Sequence, residues 1–285
     1  MIPRRTLAAP ATVTGRGLFT GAAAAASLLP ARPGEGVALA HADGGPRIPA
    51  TIAYLDPRPL HPIFAQAGAR STNLAAGDAR IATVEHLLSA LHALGITDAL
   101  VEFDGPELPI LDGSAADFSD AIDAAGVREL GEALEPITPG DTIALERDGA
   151  RIEATPRAEP GWSVAYELDY GPAAPISPQR ADWDGTPGAY ARTIAPARTF
   201  CLDAEARAMR DAGLFEHLTP RDMLVIGAGG PIDNAYRLPN ECAAHKLLDV
   251  VGDLALAGRP IQADIRASRS GHALNHELAA ALAAL

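Results

Sequence analysis

Residues 241–257 place the tightest limit on the fold. Asn240 can cap a helix here and Gly258 can close it. Between them, Leu247, Leu248, Val250, Val251 and Leu254 make a largely apolar surface. His245, Asp249 and Asp253 recur every four residues and so share a single polar stripe. Such a helix must be buried, and burying an imidazole with two carboxylates is costly unless something compensates them. Two readings follow. Either the stripe faces solvent, or His245 and Asp249 supply nitrogen and oxygen ligands to a zinc-type ion.

A catalytic zinc site needs three protein ligands and one free position for water. His86 is the best third ligand. It lies near the start of another apolar helix, where Ile81, Val84, Leu87, Leu88, Leu91 and Leu94 keep helical spacing, Thr83 can cap and Gly95 ends the run. Its neighbour Glu85 points about 100° away around the helix, so one residue can bind the ion while the other reaches its water. The plainer reading is a glutamate that favours the helix dipole. Ser270-Gly271-His272-Ala273 adds a glycine that lets backbone approach a ligand and a histidine that opens the last helix. Without the other segments, His272 reads as a helix-start residue with no role. Cys242, three residues before His245, could add a fourth metal ligand, but a fourth would close the site and forfeit the open position.

Along the chain, Ala99–Phe103 reads as a strand, Pro106–Gly113 as a loop and Ala115–Ala125 as a helix. A proline, glycine and acid-rich stretch from Glu132 to Asp141 suggests a domain boundary near residue 130. Strand-like runs follow at Thr142–Leu145, Arg151–Ala154 and Ser163–Tyr170. Residues 171–189 read as loop, Glu205–Asp211 as a short surface helix, and Leu274, Leu278, Leu282 and Leu285 as a last helix face. Leu87-Leu88 after His86 echoes Leu247-Leu248 after His245. Strands followed by helices in both halves predict an α+β fold of two similar packed domains.

Lys plus Arg number 23 against 36 Asp plus Glu, a net charge of −13. That surface repels a phosphate backbone and excludes nucleic acid as a partner. Two cysteines suit a reducing compartment, and no apolar run approaches membrane-spanning length. Arg4-Arg5 and the alanine-rich stretch from Gly21 to Ala31 look like an export signal. Gly15, Arg16 and Gly17 interrupt it, and the expectation is a cytoplasmic chain.

Taken together, the motifs resemble the zinc-dependent UDP-3-O-acyl-N-acetylglucosamine deacetylases of lipid A synthesis. The resemblance runs in order along nearly the whole chain. It comprises Arg5-Thr6-Leu7, Gly15 to Gly21, Thr83 to Leu87, Pro109 to Ala115, Ala197 to Phe200, His245 to Asp249 with Gly252-Asp253-Leu254, and Ser270 to Asn275. It implies two domains, each a sheet layered with helices, with the metal at their junction: residues 1–128 with a small insert, and 129–285. An insert around 200–237 would form part of an acyl-chain passage. Zn2+ would be held by His86, His245 and Asp249. Glu85 would be the general base, His272 the cationic acid, Asp253 the carboxylate that orients it, and Thr199 the hydroxyl that stabilises the oxyanion. Lys246 would meet the anionic nucleotide part and Phe200 the sugar, with Leu18 and Gly271 also at the substrate. The partner would be an acylated UDP-sugar, met by a monomer without stable membrane insertion.

Two positions depart from the family pattern. Phe19 stands where a histidine is usual, and Ala244 where arginine is common before the second metal histidine. Both bear on substrate positioning, and neither is a metal ligand or an acid–base group. They keep one rival in view, a zinc deacetylase of the same fold acting on another N-acyl sugar; retention of Glu85, His86, His245, Asp249 and His272 argues against a second, a non-catalytic paralogue that binds a lipid-linked nucleotide.

Overall fold

In the computed structural model, which describes residues 1–64 and 70–285, one strand plan is used twice. The first half contains β1 (Ile2–Leu7), β2 (Ala11–Arg16), β3 (Ala23–Pro30), β4 (Val37–His41) and β5 (Ile48–Pro49). A hairpin of β6 (Leu74–Ala76) and β7 (Ala79–Ile81) leads into helix α1 (Glu85–Ala93), strand β8 (Ala99–Asp104) and helix α2 (Ala116–Ala125). Strand β9 (Val127–Leu134) then pairs antiparallel with β1. The second half contains β10 (Ile143–Arg147), β11 (Ala150–Pro156), β12 (Ser163–Leu168), β13 (Gln179–Trp183) and α3 (Pro187–Thr193). A three-stranded sheet follows, of β14 (Phe200–Leu202), β15 (Leu224–Gly227) and β16 (Gly230–Pro231), with α4 (Asp203–Asp211) beside it. Helix α5 (Glu241–Leu254), strand β17 (Ala263–Ser268) and helix α6 (His272–Ala283) complete the chain.

The two five-stranded sheets have matching orders, β2-β3-β8-β4-β5 and β10-β11-β17-β12-β13. In each, the strand after one helix, α1 or α5, enters the middle and makes the sheet's one parallel pairing, β4 with β8 and β12 with β17. Parallel neighbours need a crossover connection, and α1 and α5 provide it. The expected α+β fold of two similar halves is therefore present. The faint Leu-Leu echo marks equivalent helices.

Helix α5 is the centre of the molecule. Every residue in it except Lys246 is buried, which overturns the solvent-facing reading of its polar stripe. Its C-terminal end follows the expected punctuation, with a 3-10 turn at Ala255–Ala257 and left-handed Gly258. Asn240 does not cap it, because its side-chain amide donates to the Arg180 carbonyl instead.

Other expectations are corrected. Helix α1 begins at Glu85, because Ile81 ends β7 and Thr83 takes a positive φ of 58°. The Thr83 hydroxyl donates to Glu107 and caps nothing. Residues 171–189 are not all loop. Ala181 and Trp183 face inward on β13, and Thr186 with Pro187 starts α3. Proline and glycine at the edges of these short elements disguised them. The alanine-rich stretch is strand β3, with Ala24, Ala26 and Leu28 inward at period two. Leu285 is exposed and does not extend the face of α6.

Candidate active site

Gly252 lets α1 press against α5. A Cβ at this position would stand 2.1 Å from the Glu85 carbonyl oxygen, so only glycine tolerates the approach. The first turn of α1 is thereby held beside the polar stripe of α5. His86, His245 and Asp249 come together, all buried, with one ligand atom of each within 4.8 Å of the others. His245 Nε2 is 3.4 Å and His86 Nε2 3.9 Å from Asp249 Oδ1.

These three groups fit a metal ion. Tetrahedral zinc with bonds of about 2.0–2.2 Å sets its ligand atoms roughly 3.3–3.6 Å apart, near the observed separations. Burial lowers the His86 pKa to about 3 and pushes that of His245 down as well, so both rings keep a free lone pair. His245 Nδ1 lies 3.1 Å from the Ala197 carbonyl, to which it donates, and this leaves Nε2 as the available ligand atom. Asp249 remains ionised: burial opposes its charge, but Lys246 and the histidines around it hold its pKa well below the usual range. Cys242 is not in this group, and burial raises its thiol to about 12.

Next to this candidate ligand group lie Glu85 and His272. Burial, reinforced by Asp249 and Asp253, raises the Glu85 pKa to about 7 against the opposing pull of His272. Its Oε2 accepts from the Thr72 backbone N–H at 2.9 Å. Burial disfavours a charged His272, yet Asp253 outweighs it and the pKa stands at about 9. His272 Nδ1 donates to Asp253 Oδ2 at 2.9 Å, and Asn275 Nδ2 donates to the same oxygen at 2.8 Å. Asp253, His272 and His276 lie close enough to form a second candidate metal group. The donors already directed at Asp253 mark it instead as the hub of a hydrogen-bond network.

Leu18, Thr199, Phe200 and Lys246 line a cavity of about 430 Å³, with Phe19, Met209, Phe215 and Val225 among its other walls. Two buried carboxylates brace the segments next to Leu18 and Thr199. Glu107 accepts from the backbone N–H groups of Phe19 and Thr20. Arg198 is anchored to Glu241 at 2.8 Å and positions Thr199. The Lys246 ammonium pairs with Asp249 at 2.8 Å and lies 5.8 Å from the Phe200 ring centroid. Gly271 borders α6 with open space beside its Cα and does not line this cavity. Phe19 packs on Phe64 and Phe215, with ring centroids 5.4 and 5.5 Å apart. Ala244 is wholly buried within α5.

Sequence reasoning missed Thr72 and gave no role to Asn275 or His276. The two α6 residues follow His272 at helical offsets of three and four, a signal that was available. Thr72 lies on an irregular segment 181 residues from Asp253 in sequence, and no local pattern announces it.

Two similar α+β halves, each giving residues to one buried histidine–carboxylate group, define a two-domain protein with a candidate metal centre at the junction. Residues 4–284 match the family model described as UDP-3-O-acyl N-acetylglycosamine deacetylase, and the chain belongs to that family. It is 36% identical over 276 residues to the UDP-3-O-acyl-N-acetylglucosamine deacetylase of Anaeromyxobacter dehalogenans, spanning 96% of this chain and 85% of the relative. It is 36% identical over 282 residues to the protein of that name from Synechocystis sp., spanning 98% of each. The Coxiella burnetii protein of that name is 33% identical over 282 residues, spanning 98% of this chain and 89% of the relative.

Proposed function

We propose that the chain hydrolyses the N-acetyl group of a UDP-3-O-acyl-N-acetylglucosamine and releases acetate, the committed step of lipid A synthesis. The observation that carries this reading is the convergence of His86, His245 and Asp249 with Glu85 and His272 in one buried cluster beside a largely apolar cavity. His86, His245 and Asp249 would hold zinc. When bound, the ion acidifies water and polarises the amide carbonyl.

Glu85 takes a proton from the attacking water. His272, kept charged by Asp253, and the Thr199 hydroxyl stabilise the negative charge that grows on the carbonyl oxygen. The departing amine needs a proton, which His272 or the newly protonated Glu85 supplies. Phe200 meets the sugar, Lys246 the anionic nucleotide part, and Leu18 and Gly271 flank the substrate. The two domains meet near residue 130, within the stretch where β9 still pairs with β1 of the first domain, and the 200–237 stretch forms the acyl passage. The reading includes a cytoplasmic monomer; separately, among the described residues no helix is long and apolar enough to cross a membrane.

Metal analysis combined with deacetylation of the acylated UDP-sugar, set against simpler N-acetyl sugars, tests the reading. One zinc per chain with selective hydrolysis of the acylated substrate is expected. Preference for a simple sugar favours the related deacetylase. Stoichiometric zinc with no hydrolysis favours a binding paralogue.

A further inference from the structure

We propose that Thr72 is a positioning residue for both proton-carrying groups, holding Glu85 through its backbone amide and His272 through its hydroxyl and Asp253. Thr72 is wholly buried. Its N–H donates to Glu85 Oε2 at 2.9 Å. Its Oγ1 lies 2.5 Å from Asp253 Oδ1 and 2.8 Å from His276 Nε2.

Proton counting orders this network. A hydroxyl has one hydrogen, and an ionised carboxylate only accepts. The Thr72 hydrogen therefore goes to Asp253 Oδ1, since the opposite arrangement would face two oxygen lone pairs at 2.5 Å. The Thr72 oxygen is then free to accept from His276 Nε2, which fixes that ring's tautomer. The other Asp253 oxygen accepts from His272 Nδ1 and Asn275 Nδ2. With donors on both oxygens the carboxylate cannot swing, and Oδ2 stays aimed at His272. One residue, through atoms joined by short covalent geometry, thus relates the position of Glu85 to that of the group that orients His272. Neither a change of metal ligand nor a change of substrate contact enters the arrangement.

The kinetic part of the test rests on the deacetylase reading, and the spectroscopic part does not. Thr72→Val keeps the backbone donor and the side-chain shape but removes the hydroxyl. Thr72→Ala serves if the Val protein fails to fold, and Thr72→Ser restores the hydroxyl. With zinc-loaded full-length protein, Thr72→Val should keep its metal and its KM while kcat falls roughly 10–100-fold, and Thr72→Ser should recover most of the rate. The low-field proton resonance of His272 Nδ1–H, assigned by its loss in His272→Gln, should shift upfield or exchange away in Thr72→Val and persist in Thr72→Ser. That signal is readable even if no substrate is turned over. Wild-type kcat with an unmoved resonance in Thr72→Val overturns the proposal. So does a Thr72→Ser protein as slow as Thr72→Val with a lowered melting temperature, since that marks a purely structural role.

Discussion

Gly252 on α5 lies against the backbone carbonyl of Glu85 on α1, where a Cβ would come within 2.1 Å of the oxygen. The separation of His86 from His245 and Asp249 therefore depends on a residue with no functional group. Packing and candidate chemistry meet at this contact.

Gly252→Ala should push the helices apart, at a cost of about 1–3 kcal/mol for overpacking. Its melting temperature should fall and zinc should drop below one per chain. Gly140→Ala, where a Cβ meets nothing within 4 Å, should leave both unchanged. A Gly252→Ala protein with full zinc and wild-type melting would show that the helix spacing does not set the site.

On the proposed ligand assignment, removing His86, His245 or Asp249 should empty the site, because three ligands leave none to spare. His86→Ala, His245→Ala and Asp249→Ala should each bind well under one zinc per chain and show no deacetylation. Elemental analysis after desalting is the measurement. Full zinc in Asp249→Ala would remove that residue from the ligand set.

Glu85→Gln and His272→Gln should keep zinc and each lose on the order of 10²–10⁴-fold in turnover. With Glu85 as the base and His272 as the acid of the proposed mechanism, wild-type activity should rise through about pH 7 and fall through about pH 9. Each variant should lose its own limb of that bell. Two unchanged profiles would exclude these residues from proton transfer.

Asp253→Asn should keep zinc, lower turnover and move the alkaline limb downward, because a neutral amide no longer favours imidazolium. Stability should follow the same sign. His272 has a raised pKa in the fold, so its pairing contributes fully below the ordinary 6.5 and is lost as pH rises through about 9. The Asp253 pKa is depressed, so its share is present above the ordinary 3.8 and is lost as pH falls through its lowered folded value. Denaturation near pH 6 and near pH 10 should therefore show wild type exceeding Asp253→Asn by more at the lower pH. Weaker zinc binding with an unmoved limb would instead make Asp253 a support for the metal ligands.

The amino-acid sequence by itself determined the helices that carry the site. The apolar spacing of α1 and α5 and the four-residue recurrence of His245, Asp249 and Asp253 are local properties, readable because helical geometry repeats over a few residues. Short elements with little periodicity were not readable in this way: β3 resembled an apolar leader, and β13 with α3 resembled a loop. Tertiary structure alone decided that the polar stripe is buried, that Gly252 admits Glu85, and that Thr72 reaches Asp253 across 181 residues of chain. The physical reason is one of range. Periodicity reports which face of an element is apolar, whereas a contact distance depends on how two elements pack, and that depends on the volume of every side chain between them.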